Sequence, residues 1–301
     1  MSEKMGLDLT TYMKERRERV DAALEEYLPP EGTHPESLHG AMRYSVFSGG
    51  KRFRPVLCMA AFEACGGEGD RILPVACATE LVHTYSLIHD DLPCMDDDDM
   101  RRGRPTNHKV YGEAVAMLAG DALLTLAMEL IVHRAAELMG AETALAVAAD
   151  LVEAIGSQGM VAGQVVDMEY ENRDVDEPTV TYIHDRKTAY LITSAVRCGA
   201  IVAGAEEGTL ERLSAYGRAL GRAFQIMDDL LDEQGGFGTL KSGRGLDRGK
   251  GKATFPKVRG IEGSKSAAFE LVGSAKTSLS GLGDEFSPLL ALADFVATRS
   301  F

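Results

Sequence analysis

The stretch LPVACATELVHTYSLIHDD, residues 73–91, guides the interpretation of the whole chain. Its apolar side chains recur at spacings of three and four residues, which is typical of a buried α-helix. Pro74 suits the first turn of such a helix, because proline lacks an amide hydrogen that the first turn would leave unbonded. The stretch therefore predicts a helix whose C-terminal end carries Asp90 and Asp91.

The segment that follows, DDLPCMDDDDMRRGRP at residues 90–105, places six aspartates within ten residues. Pro93 should interrupt the helix there, and His83 lies seven residues before Asp90, on the same side of it. Like charges this close repel each other unless a counter-charge is present. Clustered carboxylates suit hard cations, Mg²⁺ in particular, whereas a solvated acidic loop is the alternative.

A second acidic cluster occurs in FQIMDDLLD, residues 224–232. Gln225, Asp228, Asp229 and Asp232 are spaced i, i+3, i+4 and i+7, which predicts one face of a helix. Buried carboxylates need partners or metals. Two such helices facing each other across a bundle predict an aspartate-lined cavity that holds metal ions.

Composition restricts the fold and the ligands. The 301 residues are 45% apolar and 26% charged, and signals for strands are scarce. Long proline-free intervals, with Gly140 and Gly156 as expected helix breaks, predict a single all-α domain spanning residues 1–301. The net charge of −14 disfavours non-specific attraction to nucleic acid or to an anionic membrane, so an anionic ligand must be bound locally.

The five cysteines include no C-x-x-C pair and are predicted to be reduced thiols. No secretory signal is recognisable, and no uninterrupted apolar run reaches the roughly 18 residues of a membrane span. We therefore expect a cytoplasmic protein without membrane insertion.

Several motifs in a fixed order resemble the short-chain trans-isoprenyl diphosphate synthases, most of all the bacterial farnesyl diphosphate synthases, with geranylgeranyl diphosphate synthases close. The resemblance covers about residues 38–256. The motifs are GGKRFRP at 49–55, LIHDDLPCMDDDDMRRGRPTNH at 87–108, LAGDALL at 118–124, GMVAGQVVDM at 159–168, DRKTAYLI at 185–192 and FQIMDDLLD at 224–232.

This resemblance implies antiparallel helices around a deep central active-site cavity, usually in a homodimer, with three Mg²⁺ ions on an allylic diphosphate. The implied metal ligands are Asp90, Asp96 and Asp228, supported by Asp91, Asp229 and Asp232. The implied contacts of the allylic substrate are Arg101, Lys187, Thr188, Gln225 and Lys252. A second, metal-free site for isopentenyl diphosphate would use Gly49, Gly50, Lys51, Arg54, His83 and Arg102.

The implied reaction is ionisation of the allylic diphosphate, condensation with isopentenyl diphosphate and elimination of a proton. Tyr85 and Ser86, five and four residues before Asp90 and about 6–8 Å along the helix, would limit the growing prenyl tail. An aromatic residue there favours farnesyl diphosphate over the alternative, geranylgeranyl diphosphate. A type I terpene cyclase and a non-catalytic synthase subunit agree less well with the motifs, because the second aspartate motif and GGKRFRP are intact.

A glycine-rich, basic segment at residues 233–256 differs from the rest of this acidic chain. This local reversal of charge predicts a loop that meets an anion, with a disordered surface loop as the alternative, and the resemblance implies a lid from Lys241 to Lys252. The family usually has LGK where this chain has Leu240, Lys241 and Ser242, so the role of Lys241 stays open.

Overall fold

The computed structural model describes residues 7–233 and 251–298, and these residues form a helical bundle. The first four helices along the chain are α1 Leu9–Tyr27, α2 Glu36–Val46, α3 Phe53–Ala64 and α4 Leu73–Asp90. The middle of the chain contains α5 Asn107–Tyr111, α6 Glu113–Glu129, a π-helical turn Leu130–Ala135, α7 Ala136–Met139, α8 Ala141–Ile155 and α9 Met160–Glu169. Then follow α10 Glu177–Ile183, a π-helical turn His184–Ala189, α11 Tyr190–Ala203, α12 Glu207–Glu233, α13 Phe255–Ser278, a 3₁₀ turn Asp284–Phe286 and α14 Ser287–Ala297. The all-α prediction is confirmed.

Helix boundaries follow the local signals in the sequence. Pro74 lies in the first turn of α4, and the helix ends at Asp90, shortly before Pro93. Gly140 ends α7 with φ 87°, a conformation that glycine adopts without a steric penalty. Gly156 ends α8 in an extended conformation. Both predicted breaks are therefore confirmed.

One strand pair was not predicted. β1 (Met100–Arg101) and β2 (Arg104–Pro105) pair antiparallel, and the turn between them has positive φ at Arg102 and Gly103. Positive φ at both central residues is typical of tight hairpin turns whose twist matches that of the strands. Two-residue strands are too short to produce an alternating pattern, so the sequence gives no signal for them.

The core consists of two clusters of buried side chains. One surrounds α4, with Leu81 and Leu123 among its members, and the other surrounds α12, with Leu57 and Tyr216. Helix α3 contributes to both clusters, and α11 approaches it closely at Gly199, where a Cβ atom would lie 2.0 Å from the Cys58 carbonyl oxygen. These shared helices support the single domain, which remains a prediction.

Two stretches, Glu113–Met139 and Ala141–Glu169, are long and apolar enough to cross a membrane by length and composition alone. Only 39% of each apolar window is buried within the chain. Charged side chains interrupt the first stretch, and that of Asp121 is 61% exposed. An exposed charge of this kind is costly in a lipid environment.

Candidate active site

A cavity of about 1060 Å³ opens between α4, α9 and α12. It brings together nearly all the site residues that the sequence predicts, although they are spread from position 50 to position 252. The predicted residues that line it are Gly50, Lys51, Arg54, His83, Tyr85, Ser86, Asp90, Asp96, Arg101, Arg102, Lys187, Thr188, Gln225, Asp228, Asp232 and Lys252.

Four carboxylates of this cavity, which we call the carboxylate set, are Asp90, Asp96, Asp228 and Asp232. The first two meet because the chain folds back after α4, and the amide of Asp96 donates to the Asp90 carbonyl oxygen at 2.8 Å. Burial raises the pKa of Asp90, and the neighbouring Asp96 raises it further, while Lys187 opposes the shift. Such a pair favours a nearby cation.

Asp91 does not line this cavity. It is buried, and its Oδ1 accepts from Arg101 Nε at 2.7 Å and lies 2.6 Å from another guanidinium nitrogen. Burial raises the pKa of Asp91 to about 6, against the lowering effect of this ion pair. The structure therefore gives Asp91 a direct contact with Arg101, and its predicted support of a metal stays a prediction.

Two lysines place positive charge beside the carboxylate set. Lys252 Nζ donates to Asp96 Oδ2 at 2.7 Å, and Lys187 Nζ donates to Asp167 Oδ2 at 2.7 Å. Burial alone would lower the pKa of Lys187, but Asp167 and Asp90 raise it, so the ammonium stays charged. A charged, partly buried lysine is a suitable donor to a diphosphate.

Lys187 and Thr188 lie in the π-helical turn His184–Ala189, a form of helix that often marks functional sites. Helix α9 approaches this turn at Gly163, where a Cβ atom would be 2.3 Å from the Lys187 amide nitrogen. Any side chain at that position would therefore push the turn away from α9 and from Asp167.

A hydrogen-bonded chain orients the amide of Gln225. Its Nε2 donates to Asp229 Oδ1 at 3.0 Å, and its Oε1 accepts from Thr188 Oγ1 at 2.6 Å. Asp229 Oδ2 is 3.0 Å from His184 Nε2 and accepts from the Phe255 amide at 2.8 Å. Both oxygens of Asp229 are therefore bound to protein groups, and this residue orients the site without lining the cavity. The sequence placed Asp229 on one polar face of α12 together with Gln225, Asp228 and Asp232, but only the other three residues line the cavity.

The 49–54 segment and the hairpin turn meet at another part of the cavity. Gly50 has φ 134°, and a Cβ atom there would lie 2.8 Å from Arg102 Nη1. The same guanidinium nitrogen donates to the Gly49 carbonyl oxygen. Lys51, Arg54 and Arg102, which we call the cationic set, line the cavity with His83. Burial and the charge of Arg54 hold the pKa of His83 well below its usual value, so His83 is neutral.

Beneath the cationic set lies a buried ion pair that the sequence did not reveal. Arg52 is 3% exposed and donates to Glu80 Oε1 at 2.8 Å and to Asp21 Oδ1 at 2.8 Å. Arg52 also has φ 49°, a left-handed conformation that is uncommon for residues other than glycine. Its side chain connects the 49–54 segment to α4 and thereby fixes the backbone positions from which the Lys51 and Arg54 side chains extend.

The apolar wall includes both predicted chain-length residues. Tyr85 is 8% exposed and packs edge-on against His89, with ring centroids 5.7 Å apart. Ser86 lines the same wall, and its hydroxyl donates to the His83 carbonyl oxygen at 2.9 Å. Further apolar lining, which sequence reasoning missed, comes from Met160, Val161, Val165 and Met168 of α9 and from Phe224 and Leu231 of α12.

The donor set suits Mg²⁺. The carboxylate set offers oxygen ligands, and cations already balance it in the structure, with Lys252 on Asp96. Oxygen-rich sites completed by substrate phosphates are typical of Mg²⁺, and the cavity leaves room for such a substrate. The predicted lid falls largely on residues 234–250, so Lys241 lies outside the described residues.

An all-helical bundle whose cavity is lined by aspartates of two acidic motifs, by lysines and by arginines is the arrangement that the sequence motifs predict for a prenyl diphosphate synthase. Residues 35–280 match the polyprenyl synthetase family, and the chain belongs to that family. It is a prenyltransferase, in agreement with the prediction from its motifs. Magnesium use is typical of the family.

Curated relatives are similar over nearly the whole chain. The large subunit 1 of a chloroplastic heterodimeric geranylgeranyl pyrophosphate synthase from Arabidopsis thaliana is 44% identical over 303 residues, covering 99% of this chain and 81% of that protein. A farnesyl diphosphate synthase from Bacillus subtilis (strain 168) is 43% identical over 291 residues, covering 97% of this chain and 98% of that protein. Sequence similarity of this kind does not decide between the two products.

A solved structure confirms the fold. The apo structure of an FPP/GFPP synthase from Zymomonas mobilis has a TM-score of 0.86 and 37% sequence identity, and the match covers 97% of this chain and 99% of that one. The predicted all-α architecture around a central cavity is therefore correct.

Proposed function

We propose that the chain condenses isopentenyl diphosphate with dimethylallyl and then geranyl diphosphate, giving (2E,6E)-farnesyl diphosphate and diphosphate. The observation that carries this proposal is that the carboxylate set and the cationic set line one cavity of about 1060 Å³. Two anionic substrates can therefore be bound by different means and still react with each other.

Asp90, Asp96 and Asp228 would bind Mg²⁺ directly, with support from Asp232 and Asp91. Three Mg²⁺ ions per site are expected with the allylic substrate present. When bound, Mg²⁺ neutralises the allylic diphosphate and makes it a better leaving group. In the structure, Lys252 Nζ donates to Asp96 Oδ2 at 2.7 Å. We expect this ammonium to leave Asp96 and to contact the diphosphate when the metals and the allylic substrate bind.

Arg101 and Lys187 would add hydrogen-bond donors to the departing diphosphate. Arginine suits paired contacts with phosphate oxygens, whereas lysine acts as a point charge. Asp91 holds Arg101 through Oδ1, and Asp167 holds Lys187, so both cations are positioned before a substrate binds. Such preorganised charge supports ionisation of the allylic carbon–oxygen bond.

Thr188 and Gln225 would face the resulting allylic cation. An ionised carboxylate accepts hydrogen bonds and donates none. The Gln225 amide therefore turns its nitrogen to Asp229 and its oxygen to Thr188. Both residues line the cavity, so their oxygen dipoles would stabilise positive charge there. The isopentenyl double bond attacks the cation, and the new intermediate loses a proton to the released diphosphate.

The second substrate, isopentenyl diphosphate, would bind the cationic set without metal. Gly50 permits close approach of the backbone, while Lys51, Arg54 and Arg102 supply charge. His83 is neutral and would contribute one N–H donor without charge. Lys51 Nζ also lies 4.9 Å from the centroid of the Phe295 ring, which brings α14 to this end of the cavity.

The test of this function is a product assay. The protein is incubated with Mg²⁺, isopentenyl diphosphate and either dimethylallyl or geranyl diphosphate, and the dephosphorylated products are separated by chromatography. We expect farnesol as the main product from both primers. Absence of any metal-dependent prenyl alcohol would refute the proposal. Geranylgeraniol as the main product would favour the alternative, a geranylgeranyl diphosphate synthase, which is the activity named for some of the similar relatives.

Product length is proposed to depend on Tyr85. Its buried ring occupies the wall about one and a half turns before Asp90, where a growing tail must pass. Tyr85→Ala should therefore give longer products from the same substrates. Tyr182→Ala is the matched control, because Tyr182 is 39% exposed on α10 and does not line the cavity. Unchanged product length in Tyr85→Ala would refute the proposed role of Tyr85.

A homodimer is proposed from an exposed apolar face. Helices α6 to α8 expose large apolar side chains to an extent that favours contact with a second protein surface. These are Met117, Leu118, Val132, Leu138, Leu145 and Val152. Leu145→Lys should lower the molar mass found by light scattering to that of one chain, whereas Phe269→Lys, at another exposed apolar position on α13, should not. A cytoplasmic location stays a prediction.

A further inference from the structure

Outside the cavity, two aspartates and a histidine converge at the base of the hairpin. One carboxylate oxygen each from Asp97 and Asp99 and one ring nitrogen of His108 all lie within 4.8 Å of one another. None of the three residues lines the cavity described above. We propose that they form a separate binding site for a divalent transition-metal cation such as Zn²⁺.

The hydrogen bonds of His108 decide which ring nitrogen can accept a cation. Thr106 Oγ1 donates its proton to the Asp98 carbonyl oxygen at 2.7 Å, so towards His108 it presents a lone pair. His108 Nδ1 lies 3.2 Å from this oxygen and must therefore carry the hydrogen. In a neutral imidazole the other nitrogen, Nε2, then has a lone pair and no hydrogen.

His108 Nε2 is an acceptor that the described residues do not satisfy. The His108 side chain is only 6% exposed, and within residues 7–233 and 251–298 this nitrogen has no hydrogen-bond partner. Buried acceptors are rarely left in this state. Metal-bound histidines commonly donate from the other ring nitrogen to a neighbouring oxygen, as Nδ1 does here to Thr106.

The ligand chemistry selects the class of cation. An imidazole nitrogen with two carboxylates suits Zn²⁺ and related transition metals, whereas Mg²⁺ prefers oxygen ligands. Zinc binds nitrogen and carboxylate oxygen at about 2.0–2.2 Å, so ligand atoms that lie within 4.8 Å of one another can share one ion after a small movement of the side chains. Asp97 and Asp99 are exposed and can make this movement. Asp99 already binds one cation, because Lys109 Nζ lies 2.6 Å from its Oδ1.

A cation at this position would connect the aspartate-rich loop to helix α5. The two parts already touch, since the Thr106 amide donates to the Asp99 carbonyl oxygen at 3.0 Å. Between them lies the hairpin that carries Arg101 and Arg102. The proposed site would thus brace the segment from Asp97 to His108, and none of its three ligands is a residue assigned above to the prenyltransferase reaction.

Zinc titration tests the proposal. The metal-depleted full chain is titrated with ZnCl₂ in excess Mg²⁺, which fills carboxylate-only sites, and binding is followed by calorimetry. We expect one zinc per chain and at least a tenfold weaker affinity for Asp97→Asn, an exposed position where folding should be unaffected. Glu113→Gln, at a nearby exposed carboxylate, should bind zinc as the original chain does. Absence of zinc binding, or equal affinity in Asp97→Asn, would overturn the proposal.

Nitrogen-15 spectra of the histidine rings test the protonation pattern without any assay of activity. His108→Gln assigns the His108 signals by difference, and if that variant does not fold, the Asp97→Asn titration still decides. We expect an unprotonated Nε2 whose resonance shifts on adding ZnCl₂. A hydrogen on Nε2, with Nδ1 unprotonated, would contradict the inference.

Discussion

The carboxylate set and the cationic set occupy one cavity, yet they are built in different ways. The carboxylate set comes from the end of α4, the turn that follows it and the end of α12, and it includes aspartates 138 positions apart, Asp90 and Asp228. The cationic set comes from one short segment and one hairpin turn, supported by the buried Arg52–Glu80 pair. This difference would allow an acidic protein to bind two diphosphates side by side, one with positive charge from metals and the other with positive charge from arginine and lysine.

Metal removal should separate the two sets most strongly. With a chelator present, the affinity for the allylic diphosphate should fall about 100-fold or more, because the carboxylate set then repels the substrate. The affinity for isopentenyl diphosphate should change less than threefold, since its site needs no metal. Calorimetric titration of each substrate, with and without Mg²⁺, measures both values. Equal losses for the two substrates would remove the distinction between the sets.

Asp228→Asn should lower kcat about 10³-fold, because it removes a carboxylate charge that would hold the metals during ionisation. The matched control is Asp121→Asn, which makes the same change of net charge at a 61% exposed position on α6. Steady-state assays over a range of Mg²⁺ concentrations provide the measurement. Activity of Asp228→Asn within tenfold of the original chain would contradict the role of the carboxylate set.

Arg102→Met should raise the KM for isopentenyl diphosphate about 10- to 100-fold, the worth of one or two charge-assisted hydrogen bonds. The KM for the allylic substrate should stay nearly constant. Arg104→Met, on the same hairpin but over the ring of Tyr44, is the control. The hypothesis fails if both KM values rise together, or if Arg104→Met has the same effect.

Asp167→Asn should have the smallest effect, a decrease of about tenfold in kcat with the allylic substrate. Lys187 would lose the carboxylate that holds it at 2.7 Å, but it would keep its charge and its place on the π-helical turn. Glu169→Gln, an exposed change on the same helix, should be neutral. A kcat unaffected by Asp167→Asn would show that Lys187 is positioned without it.

Much of the fold could be predicted from local signals. Pro74, Gly140 and Gly156 fix helix boundaries through their own backbone preferences, and apolar spacing identifies the buried sides of helices. The hairpin at 100–105 escaped prediction because its strands contain two residues each. Its turn nevertheless places Arg102 against Gly50, a contact across more than fifty residues that no local pattern encodes.

The site was predicted less evenly. Residues in compact motifs, such as Asp90 and Asp228, are recognisable because clustered carboxylates need a counter-charge. Asp167 was quoted within a motif but given no role, since its partner Lys187 is 20 positions away. Asp229 was placed on the polar face of α12, yet its partners Phe255 and His184 come from other elements, and these turn it away from the cavity.

The sequence alone determined the helical character of this protein, the two aspartate clusters and the family to which the chain belongs, because each depends on spacing or composition within a short stretch. Only the tertiary structure decided which carboxylates line the cavity, how Gln225 is oriented and that His108 meets Asp97 and Asp99. These features depend on distances between atoms of different elements, and such distances arise only when the helices pack.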